Sequence, residues 1–577
     1  MKINNINFQN NLSFKGGTLN ILAMADNHGK INTLHKVANS VDKNFAQIFQ
    51  NPNNKSTTNI FAIVGDFFLN PIKKGILTKN NSSKQIGDIQ CSFLSKFIKH
   101  LKSHFENHNL QTLFALGNHD LDGGDDLTMK YMSSLAQTDD VTTIVTNINL
   151  DKSSSKTQAW VDNRNIVKSK IVEIQDDKKI DLKHQALFLG VTIPGIEFTN
   201  PGILENIRFF DHSKKKDIDH TKDDLKETFQ ALSDTIENFK KEHPKGPVII
   251  LSHTGNNISK LLCENVKGID IVLNGHDHVE TTTFLENSSK IYSLSQNNQL
   301  IRSLNISFDD EGNFKLSNID GFKEKPLETD FEPTSNVMKD FLMENLGDDL
   351  KPKLKVVDYN YNPSQLKFDE LEIRTTHSEL ANFLTSAIKY SILKSHSVSS
   401  IGLLSGSVRG PLVDCGNNFD LLSLFSTKEN LATLSKGSLT SDELTTLIVG
   451  NVVGNILQGK RSPIYQWSDF KINKTQIGEI HDNSNFTETE KQKLYKSAIQ
   501  YKNPKTSNYE SLSENIDYTI VIPKKCLDNE VVNRKEISYK FENLEKNFTF
   551  HNLLIEYLID NNYTIKIDKN ILEKRII

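Results

Sequence analysis

The chain has 577 residues, 37% of them hydrophobic and 24% charged, with a formal net charge of −4. At roughly 100–200 residues per domain, that length exceeds one ordinary core, and two domains are expected. The near-balanced charge excludes a strongly basic surface for a nucleic-acid polymer, no run of about 18 apolar residues is present to cross a membrane, and Cys91, Cys263, Cys415 and Cys526 form no C-x-x-C pair.

The first sixteen residues lack the apolar core, about 7–15 residues long, of a secretory signal, so a cytoplasmic location is expected. From there, short β-branched apolar runs alternate with polar loops. Leu19–Ala25, Asn59–Val64, Thr112–Leu116, Gln185–Val191, Pro247–Leu251 and Ile269–Leu273 are continuous enough for strands buried on both faces. Ile31–Gln50, Ile89–His108 and Asp219–Lys241 show the three- and four-residue apolar spacing of helices. Asn51–Thr58 is polar and turn-rich, and is expected to be an exposed loop. Later runs, Lys290–Ser295 and Ile301–Phe308, complete what reads as an α/β sandwich. A charged, proline-marked stretch from Asp320 to Pro333 looks like a boundary, followed by an amphipathic helix at Ser335–Leu346. Beyond it lie helices at Ser378–Leu393, Leu439–Leu447 and Phe550–Ile559, and strands at Ser400–Leu404 and Tyr518–Ile522.

Five of the early strand-like runs end in metal-ligand residues. They are Asp26-Asn27-His28-Gly29, Gly65-Asp66, Gly117-Asn118-His119-Asp120, His253 and Gly275-His276-Asp277-His278. Ligands in α/β sheets gather at the carboxyl ends of strands, so these blocks would converge on one spot. The residue types suit two divalent ions about 3.5–4 Å apart. Asp66 is the candidate bridge. One ion would take Asp26, His28, Asp66 and His278, and the other Asp66, Asn118, His253 and His276. Mixed oxygen and imidazole donors suit manganese, zinc, iron or cobalt without choosing among them. A hydroxide between the ions would attack phosphorus in line, with His119 hydrogen-bonding a phosphoryl oxygen or protonating the leaving alkoxide and Asp122 orienting that imidazole. His100, His104, His108, His212, His220 and His243 show no such context and read as solvated.

These blocks resemble the calcineurin-like metallophosphoesterases and, within them, the two-domain 5′-nucleotidases. Gly117-Asn118-His119-Asp120-Leu121-Asp122-x-Gly124 is similar to the nucleotidase pattern GNHEFDxG. The resemblance implies a four-layer α/β/β/α sandwich over residues 17–325, a linker helix over 326–352 and a smaller α+β substrate-recognition domain over 353–577. It also implies a dinuclear site, with His119 and Asp122 as the catalytic pair, acting on a small phosphate ester, in the first instance a nucleotide. No protein partner is evident.

The C-terminal part is similar to the nucleotidase second domain. Arg374 precedes a helix containing Leu380-Ala381-Asn382-Phe383-Leu384. Ser405-Gly406-Ser407-Val408-Arg409 looks like the family's SGSIR loop, and Leu424-Phe425 falls where the family has Pro-Phe. Arg374, Arg409 and Phe425 are the substrate residues this implies, the Phe stacking on the base. After Tyr518–Ile522, however, Pro523-Lys524-Lys525-Cys526-Leu527 stands where the family carries GGDGY. Phosphodiester hydrolysis, a non-nucleotide phosphatase or a non-catalytic binding protein are the alternatives.

Overall fold

The computed structural model describes most residues between 17 and 317 and between 354 and 576, leaving out stretches that include 69–85, 195–205, 318–353, 359–377, 405–417, 420–433 and 524–537. The chain divides into two compact units on either side of residue 345.

The first unit is built on two sheets. A seven-stranded sheet contains β1 (Thr18–Met24), β2 (Thr57–Val64), β3 (Asn109–Ala115), β4 (Val141–Ile144) and β5 (Ile166–Val167), all parallel. The second sheet has six strands, and its first two are β6 (Ser169–Gln175) and β7 (Lys183–Thr192). It continues with β8 (Val248–His253), β9 (Ile271–Asn274), β10 (Thr282–Phe284) and β11 (Lys290–Ser293), in the order β10-β11-β9-β8-β7-β6. β12 (Arg302–Phe308) returns to the first sheet antiparallel to β1, and β13 (Phe314–Ser317) adds the edge beside it.

Alternation along the strands builds two cores. Leu19, Ile21, Ala23, Ile60, Ala62, Val64, Leu113 and Ala115 face Val172, Ile174, Ala186, Phe188, Ile249, Leu251, Ile271 and Leu273 between the sheets. Residues of the opposite parity meet helices. Phe61 of β2 packs edge-on against Phe97 of α2 (Ile86–His104), and Phe45 of α1 (Ile31–Gln50) meets Phe105 just beyond it. Shorter helices α3 (Asp125–Ala136) and α4 (Ser155–Val161) follow, and α5 (Lys226–Glu242) and α6 (Gly255–Asn265) pack against the second sheet. The arrangement is the α/β/β/α sandwich expected.

Several sequence readings need correction. Thr57 and Thr58, expected in an exposed loop, are buried and open β2, because threonine satisfies a pleated, enclosed position as readily as a turn. The helix expected from Asp219 begins at Lys226, after a short 3-10 turn at Lys222–Asp224 whose capping box ties Thr221 to Asp224. His220 is buried, not solvated, and His100 and His104 contact the buried carboxylate of Asp42. The expected helix at Ser335–Leu346 lies outside the described residues. Cys91 and Cys263 are buried free thiols.

The second unit has a five-stranded sheet containing Ser400–Leu404, Leu434–Leu439, Tyr465–Trp467, Tyr518–Pro523 and Phe541–Asn543, with two three-stranded sheets beside it. Its core gathers Leu444, Leu447, Tyr465, Trp467, Phe470 and Tyr518. Helices there include Glu379–Ile392, capped by Ser378, and Ser441–Gln458. Among the described residues, no helix is long and apolar enough to cross a membrane.

Candidate metal centre

Three adjacent parallel strands of the first sheet end nearly level. Met24 pairs with Ile63, and Val64 with Ala115. In the second sheet β8 and β9 end together, Ser252 opposite Asn274. The loops leaving these five ends carry Asp26 and His28, Asp66, Asn118 and His119, His253, and His276 and His278.

These loops do not run extended. Asp26, His28, Asp66, His276 and His278 all have positive φ, between 50° and 88°. Non-glycine residues avoid that region unless their surroundings enforce it, so strain is concentrated here. What enforces it is a backbone lattice. The Asp26 amide donates to the Gly65 carbonyl at 3.1 Å, and the His28 amide to the Asp66 carbonyl at 2.8 Å. The amide of His276 donates to the Asp26 carboxylate at 3.2 Å, tying the sheets together. Asp277 lies between two candidate ligands but accepts the amide of Asn256, at the start of α6.

The side chains fall into two neighbouring groups. His28 and His278 face each other with their Nε2 atoms 2.8 Å apart, and Asp26 Oδ1 lies 3.3 Å from His278 and 3.7 Å from His28. On the other side, His253 Nε2 is 3.1 Å from Asp66 Oδ2 and 3.8 Å from Asp26 Oδ1. His276 joins this second group: its ring centroid is 5.4 Å from that of His253, and its Nδ1 is 3.0 Å from Asn118 Oδ1. Asp66 Oδ2 is also 3.7 Å from His28 Nδ1, so Asp66 touches both groups; Asp26 shares that property. His276 and His278 are therefore splayed by the turn between them.

Asp26, His28, Asp66 and His253 are fully buried or nearly so, whereas Asn118, His276 and His278 keep some exposure. Burial pushes the Asp66 carboxyl up, but the imidazoles of His253, His119 and His276 outweigh it and hold Asp66 well below the usual carboxylate range. Burial lowers His253, and the carboxylates of Asp66 and Asp26 overcome that and lift it to about 10. Two buried carboxylates thus demand compensating positive charge at this spot.

His253 is aimed by its other nitrogen. Nδ1 lies 2.8 Å from the Val64 carbonyl, which fixes the proton there and turns Nε2 inward. Nε2 makes no properly directed hydrogen bond, although Asp66 Oδ2 is close. The same carboxylates that favour a second proton on Nε2 would favour a cation in its place, and a ring that then keeps its one proton on the far nitrogen is what a metal-binding imidazole requires. The residues present therefore fit divalent ions. Gly65 and Gly275 make room for this ring: a Cβ at Gly65 would lie 2.3 Å from His253 Nδ1, and one at Gly275 would lie 2.8 Å from it. Gly65 also takes a positive φ of 74°, so it serves the turn as well as the space.

His119 is buried on a 3-10 turn, and its amide donates to Asp66 Oδ1 at 2.7 Å. Its ring centroid lies 5.1 Å from that of His28, close enough that His28, Asp66 and His119 also form a possible donor group. Asp122, Arg374, Arg409 and Phe425 lie outside the described residues. Sequence reasoning missed two supporting residues. Asp120 accepts the amides of Asp66, Gly117 and Phe68. Gln90 of α2 donates to Asn27 Oδ1 and to the Phe67 carbonyl.

Residues 19–280 match the family model for calcineurin-like phosphoesterases. A curated relative, the trifunctional nucleotide phosphoesterase protein YfkN of Bacillus subtilis (strain 168), is 22% identical over 175 residues, which is 28% of this chain and 11% of that protein. The match thus spans only a small part of that relative. The solved structure of a 5′-nucleotidase precursor from Thermus thermophilus is similar with a TM-score of 0.62 at 12% identity, covering 97% of this chain and 99% of that one. The sulfate thiohydrolase SoxB of Thermus thermophilus is similar with a TM-score of 0.54 at 10% identity, covering 97% and 96%. At these identities the likeness is one of fold, and one fold hosts different chemistries.

Proposed function

We propose that this chain, which carries a calcineurin-like phosphoesterase domain over residues 19–280, is a dinuclear metal-dependent phosphohydrolase acting on nucleotide phosphate esters in the manner of a 5′-nucleotidase. The observation that carries this reading is the contact of Asp66 with both imidazole groups, 3.1 Å from His253 and 3.7 Å from His28. One ion would be held by Asp26, His28, Asp66 and His278, the other by Asp66, Asn118, His253 and His276. Bound divalent ions, whether manganese, zinc, iron or cobalt, would polarise the phosphoryl oxygens and make water nucleophilic at neutral pH.

The chain's own residues do the rest. The Val64 carbonyl keeps His253 in the tautomer that points a lone pair inward. The Asp66 carboxylate fixes the backbone of His119, whose imidazole would donate a proton to the leaving alkoxide. Asp122 would orient that imidazole. Residues 353–577 would supply substrate recognition, with Arg374 and Arg409 on the phosphate and Phe425 against the base.

A second reading has its own support. The strand Tyr518–Pro523 ends in a proline where the nucleotidase GGDGY pattern would begin. A phosphodiester or a non-nucleotide phosphate ester is then the substrate. Turnover of AMP and sugar phosphates, read as phosphate release, set against that of cyclic nucleotides and aryl diesters, read as the monoester or phenol product, with manganese supplied and Asp66→Ala as blank, separates the two. The first reading expects a preference for a nucleoside monophosphate; the second expects a diester or sugar phosphate to win. Near-wild-type turnover by Asp66→Ala would overturn both.

A further inference from the structure

Outside the candidate centre, the described residues contain one other group of side chains with a metal-ligand donor set, Asp42, His100 and His104. Asp42 lies on α1 and is fully buried, while His100 and His104 lie four residues apart on α2. That spacing puts both imidazoles on one face of the helix. His104 Nδ1 is 2.9 Å from Asp42 Oδ1, and His100 Nε2 is 3.4 Å from Asp42 Oδ2. The two rings sit 5.6 Å apart, and one ligand atom from each residue falls within 4.8 Å of the others.

We propose that Asp42, His100 and His104 form a separate site for a zinc-class divalent cation, clamping α1 to α2. Two imidazoles and one carboxylate suit zinc or a neighbouring transition metal and suit magnesium or calcium poorly. With metal–ligand bonds of about 2.0–2.2 Å, tetrahedral ligand atoms stand roughly 3.3 Å apart, so Asp42 Oδ2 and His100 Nε2, 3.4 Å apart, already stand as ligands to one ion, whereas His104 Nδ1 pairs with the other oxygen, Oδ1, at 2.9 Å and would open from it to join them. Partial exposure of the imidazoles, 20% for His100 and 36% for His104, leaves a fourth position to water. His104 stacks on Phe105 at 4.4 Å, which fixes its ring plane. One turn before Asp42, Asn39 is buried with neither side-chain amide atom hydrogen-bonded within the protein, so this stretch of α1 holds more polar capacity than the fold satisfies.

The placement gives the clamp a consequence. α1 starts three residues after His28, and α2 carries Gln90, whose amide holds the loops bearing Asp26 and Asp66. A cation here would brace the helices that frame the candidate centre without touching it.

The test uses the full chain with Asp66→Ala and His253→Ala disabling the central centre. Zinc content after equilibrium dialysis is compared with and without His100→Ala/His104→Ala. The proposal expects one zinc equivalent to be lost with the histidine pair. It also expects zinc at about 100 times its Kd to raise the parent's melting temperature by about 5 °C and to leave the pair variant unmoved. Should the disabled background fail to fold, the same difference of one equivalent is read in the otherwise wild-type chain, where phosphate release at saturating manganese should persist in the pair variant. Equal zinc content in both proteins, or a parent whose melting temperature ignores zinc, overturns it: the histidines would then be only charge partners of Asp42.

Discussion

The Asp120 carboxylate accepts the backbone amide of Asp66 at 2.9 Å, through the same oxygen that takes the amide of Gly117 at 2.8 Å. Its other oxygen takes the amide of Phe68 at 2.7 Å. One acid thus ties the loop after β2 to the loop after β3, and both bear candidate ligands. Burial above all, with the nearby Asp66 carboxylate, pushes Asp120 above the usual carboxylate range, and the amides of Gly117 and Phe68 offset only part of that. Asp120→Asn turns one acceptor into a donor facing an N–H. The expected outcome is a loss of about 2 kcal/mol of stability and a roughly 10- to 100-fold weaker metal affinity. Thermal melts in chelator and manganese titrations of activity measure the two effects separately.

Gly117 is constrained by what surrounds it. A Cβ there would lie 2.2 Å from Asp66 Oδ1 and 2.3 Å from the Asp66 amide nitrogen. Backbone cannot yield as a flexible side chain can, so Gly117→Ala should push Asp66 out of place. Overpacking of this kind costs about 1–3 kcal/mol, more than the roughly 0.4–1 kcal/mol gained by stiffening the unfolded chain. The variant should fold with a lowered melting temperature, lose bound metal and lose hydrolysis. Full metal content would show that the loops can shift around the added methyl group.

Much of the first unit was legible because its strands are buried on both faces. Runs such as NIFAIV read as strands, and the residue after each run fell at a strand end where ligands collect. What escaped was set by tertiary context. β6 (SKIVEIQ) is interrupted by charges, and β13 (FKLS) is too short to show a period. Asp120 and Gln90 act through buried hydrogen bonds to loops far away in sequence, which no local pattern encodes. His100 and His104 read as solvated because their partner, Asp42, lies on another helix. The positive φ of five candidate ligands was hidden as well, since nothing in Asp-x-His spacing distinguishes an extended loop from a left-handed one.

Glu443 in the second unit makes a pH prediction with a definite sign. It closes a capping box on the helix Ser441–Gln458, accepting the amide of Thr440 at 2.9 Å, and pairs with Lys540 at 2.6 Å. Burial raises its carboxyl, but Lys540 and the hydrogen bonds from Thr440 together outweigh that and hold it below its ordinary value of 4.5. A depressed acid stabilises the fold above its unfolded pKa, and that contribution disappears as the pH falls through the folded value. Glu443→Gln should therefore cost less than about 1 kcal/mol at pH 7, because the pair is partly exposed. The gap between the two melting temperatures should close below pH 4.5. A gap that persists in acid would mean the helix start depends on the side chain's shape and not on its charge.

Gln90 offers the cleanest separation of metal binding from chemistry. It is completely buried in α2, and its Nε2 reaches Asn27 Oδ1 at 3.3 Å and the Phe67 carbonyl at 3.1 Å. Asn27 stands between Asp26 and His28, and Phe67 follows Asp66. Gln90→Leu keeps the volume and deletes both bonds, leaving a carbonyl and an amide oxygen without a donor at a cost of about 1–3 kcal/mol. With no exposed surface, Gln90 offers no atom to a molecule arriving from solvent. The manganese concentration giving half-maximal activity should rise roughly 10- to 100-fold, while kcat at saturating manganese stays near wild type. If kcat falls and the manganese dependence does not move, Gln90 shapes the substrate face of the loops. If neither moves while the melting temperature drops, the bonds hold α2 to the sheet and contribute nothing to the centre.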